Sequence, residues 1–120
     1  MRICIAANVP FKATAGLHHP LRSIKPLTYE TDAINGTMHG FLGVFMSAAF
    51  LRQNLNHTFV HELMHETTAD NFSFDDEKIV WKDHSIDNFE LELARKRSAI
   101  SFGSCSFTEP IEELQELGFL

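Results

Sequence analysis

The residues best suited to chemistry lie in three short stretches. Phe11-Lys12-Ala13-Thr14-Ala15-Gly16 reads as a brief apolar strand stopped by glycine. Residues two apart in a strand share a side, so Lys12 and Thr14 face the same way. A lysine among apolar neighbours is costly unless its amine finds a partner or loses its charge. Such an amine can form a Schiff base with a carbonyl or bind a substrate anion. His18-His19-Pro20 follow in the loop, and His39-Gly40 stands at the start of a predicted helix. His18, His19 and His39 are acid/base candidates because imidazole titrates near neutrality. The third stretch, Ser101-Phe102-Gly103-Ser104-Cys105-Ser106, is a strand end opening into small residues before a helix. Backbone N–H groups and hydroxyls there can hold phosphate or carboxylate. Ser101, Gly103 and Ser104 are therefore expected to bind substrate, together with Thr14 and Gly16, while Cys105 reads as an inert thiol.

A more familiar pattern is His61-Glu62-Leu63-Met64-His65, which matches H-E-x-x-H. On a helix its histidines lie one turn apart, where they could hold zinc while the glutamate activates water. The extended form is missing: Thr68 and Asn71 stand where a further glycine and histidine would be. With His61 at 0° and about 100° per residue, His65 falls near 40°, whereas Phe59, Leu63, Val60 and Met64 fall at about 160–300°. The histidines thus oppose the apolar face. Only Asp70, Asp83 or His84 is available as a third ligand, so the expectation is a solvated helix face and no metal. A zinc metallopeptidase using His61, Glu62 and His65 is the alternative.

The elements that position these residues follow from patterning. Arg2–Ala7 is too short to separate helix from strand. Pro20 and Pro26 argue against helix over Leu17–Lys25, within a long connection from Leu17 to Thr37. Thr37 is expected to cap a helix from about Met38 to Asn54. Its apolar residues run nearly all the way round, so it must be buried on every side. A second helix is expected over Asn56–Asp70. Phe72–Phe74 and Lys78–Trp81 flank Asp75-Asp76-Glu77, which predicts a small hairpin. Ser85 is expected to cap a helix to Arg97, with Ile86, Phe89 and Leu93 on one face and a Glu92–Lys96 pair on it. Ala99–Phe102 reads as a strand. Thr108 and Pro110 open a last helix that Gly118 ends, with Phe119 folding back.

Composition sets outer bounds. The chain has 120 residues, 44% hydrophobic, with a net charge of −6. That suits one domain over residues 1–120 and disfavours nucleic acid and anionic membranes as partners. A closed (β/α)₈ barrel needs about 250 residues, more than this chain has. The apolar run from Phe41 to Leu51 is too short to cross a membrane. Cys4 and Cys105 form no disulfide framework. The expectation is a cytoplasmic protein with reduced thiols.

K-A-T-A-G-L-H-H-P, M-H-G-F-L-G-V-F and I-S-F-G-S-C-S-F-T-E-P together resemble the last part of longer, uncharacterised bacterial proteins of (β/α)-barrel type. The resemblance runs from about Val9 onward. The lysine strand is also similar to the Schiff-base strand of deoxyribose-phosphate aldolases, where K-x-S/T-x-G recurs. The resemblance implies an α/β fold, a partial (β/α)-barrel-like fragment with a few strands, about four helices and a small hairpin. Its strand ends at Thr14–Gly16 and Phe102–Ser104 would face one active-site mouth. The function expected is a barrel-type enzyme, or a remnant of one, acting on a small carbonyl or phosphorylated metabolite without a cofactor. The chain is expected to form a homo-oligomer, since an all-apolar helix and open strand edges call for cover; the remaining alternative for function is an inactive self-associating fragment.

Overall fold

The organising element is the helix that the sequence marks as apolar on all sides. In the computed structural model, which describes residues 1–53 and 56–120, helix α2 covers Phe41–Arg52 and nine of its residues are buried. Helices α1 (Arg2–Ala6), α3 (His57–Met64) and α4 (Asn88–Arg97) pack on it, as do strands β6 (His84–Asp87) and β7 (Ala99–Phe102). The cover comes from the same chain, so the expected need for a second copy over this helix falls away. The expected helix end at Asn54 and the link at Leu55 lie outside the described residues. Among the described residues no helix is long and apolar enough to cross a membrane.

Strand β1 (Phe11–Ala13) pairs in parallel with β7. Strands β2 (Ser23–Pro26) and β3 (Asn35–Met38) form an antiparallel pair, and β4 (Phe72–Phe74), β5 (Lys78–Trp81) and β6 form a meander. Helix α5 (Glu109–Glu116) closes the chain. The fold is α/β, with small separate sheets and no closed barrel among the described residues.

Several boundaries differ from the expectations, each for a local reason. Thr37 does not cap α2: it pairs with Ile24 in the β2–β3 hairpin, and Gly40 takes the cap position. The long connection is therefore partly a hairpin. Helix α3 stops at Met64 rather than Asp70, because the Glu66 carboxylate accepts the Thr67 and Thr68 N–H groups, each at 2.9 Å, and turns the chain. Ser85 is a strand residue paired with Val80, and its β6 neighbour Ile86, paired with Ile79, is fully buried. Asp87 caps α4 instead, accepting the Glu90 N–H at 2.8 Å. Phe89, expected on a buried face, is exposed. Thr108 makes no side-chain cap on α5; Ser106 Oγ accepts the Glu109 N–H at 3.1 Å. Gly118 does end α5 in the left-handed region, at φ +73°, and the Phe119 N–H returns to the Leu114 carbonyl.

The main core gathers Met46, Ala49 and Phe50 of α2 with Leu63, Phe72, Trp81, Ile86 and Ala94. A second cluster of Leu17, Phe41 and Val44 lies under the loop that carries the paired histidines.

Candidate active site

Parallel pairing brings the ends of β1 and β7 side by side. The Gly103 N–H donates to the Ala13 carbonyl at 2.9 Å, and the Leu17 N–H donates to the Gly103 carbonyl at 3.2 Å. A Cβ at Gly103 would meet Thr14 Cγ2 at 2.8 Å, so glycine is what lets the strand ends meet. From there the His18-His19-Pro20 loop crosses the start of α2. The Phe41 N–H donates to the His19 carbonyl at 2.9 Å and the Leu42 N–H to the Pro20 carbonyl at 3.1 Å. The first turn of α2, whose donors have no partner within the helix, thereby holds the histidine loop.

Both histidines are buried, His18 8% and His19 3% exposed. Each meets a carboxylate of α5. His18 Nδ1 lies 3.3 Å from Glu109 Oε2, and His19 Nδ1 lies 2.8 Å from Glu113 Oε1. Glu109 and Glu113 are one helical turn apart, so α5 presents both to the loop. Ser104 Oγ is 3.0 Å from His18 Nδ1 and donates its own proton to the Ser106 carbonyl at 2.8 Å. Lys25 Nζ donates to Glu113 Oε1 at 3.0 Å. Tyr29 Oη donates to Glu109 Oε2 at 3.4 Å and lies 3.8 Å from Cys105 Sγ. The Tyr29 phenol is pushed up to about 12, chiefly by its hydrogen bond with Cys105, then by desolvation and the Glu109 charge. It therefore stays a donor.

Of these groups His18, His19, Lys25, Tyr29, Cys105 and Glu109 line a cleft of about 510 Å³ between the β2–β3 hairpin and the start of α5. His19, Glu109 and Glu113 each bring a ligand atom within 4.8 Å of the others, a set able to accept a cation.

The expected residues divide. His18, His19 and Ser104 share this cleft region. His39, Thr14 and Gly16 line a separate cavity of about 420 Å³, where His39 is exposed and donates from Nδ1 to the Met64 carbonyl at 3.3 Å. Ser101 lies on a groove along α4 and β7. Lys12 pairs opposite Ser101 but its side chain is exposed and lines none of these three cavities. The apolar enclosure expected around its amine is not there: Lys12 is exposed, on a strand that pairs, among the described residues, with β7 alone.

His61, Glu62 and His65 are exposed, as the helical wheel expects. The His65 Nδ1–H donates to the His61 carbonyl at 2.8 Å, and the two rings stack at 4.2 Å. Among the described residues, the group of potential ligands that converges does not include them.

Lys25, Tyr29, Cys105, Glu109 and Glu113 were not among the expected site residues. Glu109 and Glu113 carried one legible signal, their i,i+4 spacing behind Thr108-Glu109-Pro110. Comparison with known proteins finds no family model, no curated protein and no solved structure that matches this chain.

Proposed function

We propose that the chain is an enzyme, or the working part of one, that moves protons on a small carbonyl or phosphorylated metabolite, with His18 as acid/base. One observation supports this reading: the buried His18 ring is hydrogen-bonded at Nδ1 to the Ser104 hydroxyl, with the Glu109 carboxylate 3.3 Å away, at the wall of an open cleft. A hydroxyl bonded to one ring nitrogen orients the imidazole and leaves the other nitrogen for the substrate. Lys25 supplies a positive charge at the same cleft for a substrate anion, the role first assigned to the Gly103–Ser104 loop. Ser104 serves instead to position His18. Lys12, exposed on β1, carries no Schiff-base role in this reading. His39 lies in the neighbouring cavity and carries no step.

The test is exchange of carbon-bound protons next to the carbonyl in heavy water, followed by NMR over a panel of small aldehydes, ketones and sugar phosphates. At least one member should exchange faster than in buffer, and His18→Gln should slow it by about 10²-fold or more. No exchange above buffer for any member would overturn the reading.

A further inference from the structure

We infer that Cys105 is the nucleophile of this cleft: its thiol adds to the carbonyl carbon of a small aldehyde, with His18 as the base that takes the thiol proton. The inference rests on the acid/base reading of His18 and deepens it by naming a covalent step and a substrate class.

The base of this step is the His18 nitrogen that carries no proton. Ser104 Oγ, bonded to the Ser106 carbonyl at 2.8 Å, accepts from His18 Nδ1–H in the tautomer that the step uses. Glu109 Oε2, 3.3 Å from Nδ1, stands near as a negative charge. With the proton on Nδ1, Nε2 keeps a free lone pair. Cys105 Sγ is 3.5 Å from that Nε2. It is also 3.8 Å from Nδ1, so it stands beside the ring rather than in line with the lone pair. Cys105 is exposed, so its thiol is free to turn about the Cα–Cβ bond. Thiol, imidazole and the Ser104 hydroxyl supply the parts of an activated nucleophile: nucleophile, base, and a group that orients the base. Tyr29 Oη lies 3.8 Å from the sulfur and, once its proton turns from Glu109, can donate to the oxygen that gains charge.

In the step, the S–H bond breaks and its proton passes to His18 Nε2. An S–C bond forms at the aldehyde carbon, and the C=O π pair moves onto oxygen. That oxygen takes the proton back from Nε2. The product is a hemithioacetal; nothing is oxidised or reduced and no co-reactant enters.

Two measurements on the full chain test this. The first is alkylation by iodoacetamide at neutral pH, read peptide by peptide, with Cys4 as internal reference. Cys105 should react at least about tenfold faster in the native chain than in His18→Gln. Glu109→Gln gives the same comparison if circular dichroism shows that His18→Gln fails to fold. Equal rates in the native chain and a folded variant would overturn the inference. The second is incubation with glyoxylate carrying ¹³C at the aldehyde carbon, which has no neighbouring carbon-bound proton and so bypasses the exchange assay. A hemithioacetal signal that vanishes in Cys105→Ser supports the inference, and no such signal overturns it. Fast alkylation and an adduct without any proton exchange would sink the acid/base reading alone. Proton exchange with no adduct would sink the thiol alone.

Discussion

Gly40 marks how closely the site is built. A Cβ there would fall 2.2 Å from the Pro20 carbonyl oxygen and 2.5 Å from Leu21 Cα, both backbone atoms that cannot swing aside. Gly40→Ala must therefore push the histidine loop off the first turn of α2. We expect a loss of about 2 kcal/mol or more, as for an overpacked core, measured by urea unfolding. The variant should also lose the rapid alkylation of Cys105, since His18 moves with the loop. A stability unchanged within error would show that the loop is not held as described. The opposite expectation holds on α3. His65 is exposed and its Nδ1 bonds to the carbonyl one turn back. His65→Ala should change stability by less than about 0.5 kcal/mol, in the range of ordinary surface substitutions. Metal analysis of protein purified without chelator should find no zinc that the variant loses. One zinc per chain in the parent and none in His65→Ala would restore the peptidase alternative.

Between elements, Glu66 is the joint. Its carboxylate accepts from the Trp81 indole N–H at 3.0 Å, from Asn71 Nδ2 at 2.9 Å, and from the Thr67 and Thr68 backbone, tying the end of α3 to the β4–β6 meander. Burial pushes this carboxyl up, but the bonds from Thr68, Asn71, Trp81 and Thr67 outweigh it, and the group titrates below its ordinary 4.5. Because the folded value is the lower one, the stabilisation is present above the unfolded value and is lost as pH falls through the folded one. Urea unfolding from about pH 6 down to about pH 3 should show a drop that Glu66→Gln flattens. The same variant should cost about 1–3 kcal/mol near neutrality, since it replaces a charged acceptor in a buried network. An unchanged pH slope would place the acid sensitivity elsewhere. Glu66 was not legible in the sequence, where it sat inside an expected helix. What was legible had strong local signals: the unbroken apolar run of α2, the paired aromatic segments around Asp75-Asp76-Glu77, and Gly118 as a stop. The β2–β3 hairpin had none, because Ser23-Ile24-Lys25-Pro26 and Asn35-Gly36-Thr37-Met38 lack alternating apolar residues and β3 contains a glycine. The site divided in the same way. His18, His19 and Ser104 stood out by residue type. Glu109 and Glu113 looked like helix surface, and Lys25 and Tyr29 belonged to the unseen hairpin.

Across the whole molecule, the cleft has one firm wall and one loose wall. The firm wall is the histidine loop, seated on α2, which runs from the small cluster under the loop into the main core. The loose wall is the β2–β3 hairpin. None of its eight strand residues is buried, and Ile24 is 69% exposed. Its backbone pairing is therefore supported by little apolar burial, and such units open at a lower free energy than the core. The Lys25–Glu113 contact ties the hairpin to α5, with Lys25 about half exposed, so its strength is modest. Since Lys25 and Tyr29 belong to this wall, its opening would uncover His18, and its closing would bring a cation and a phenol onto whatever is bound. Amide hydrogen exchange should distinguish the walls. Amides paired between β2 and β3 should exchange well before those of α2 and β5, and Glu113→Gln should speed the hairpin while leaving α2 unchanged. An anion held in the cleft, with glyoxylate as the probe, should slow the hairpin in the parent chain and slow it less in Lys25→Ala. Equal protection across hairpin and core would mean that the cleft is rigid on both sides. The hairpin would then be a fixed wall rather than a cover, and substrates would be limited to those that fit the open 510 Å³ as it stands.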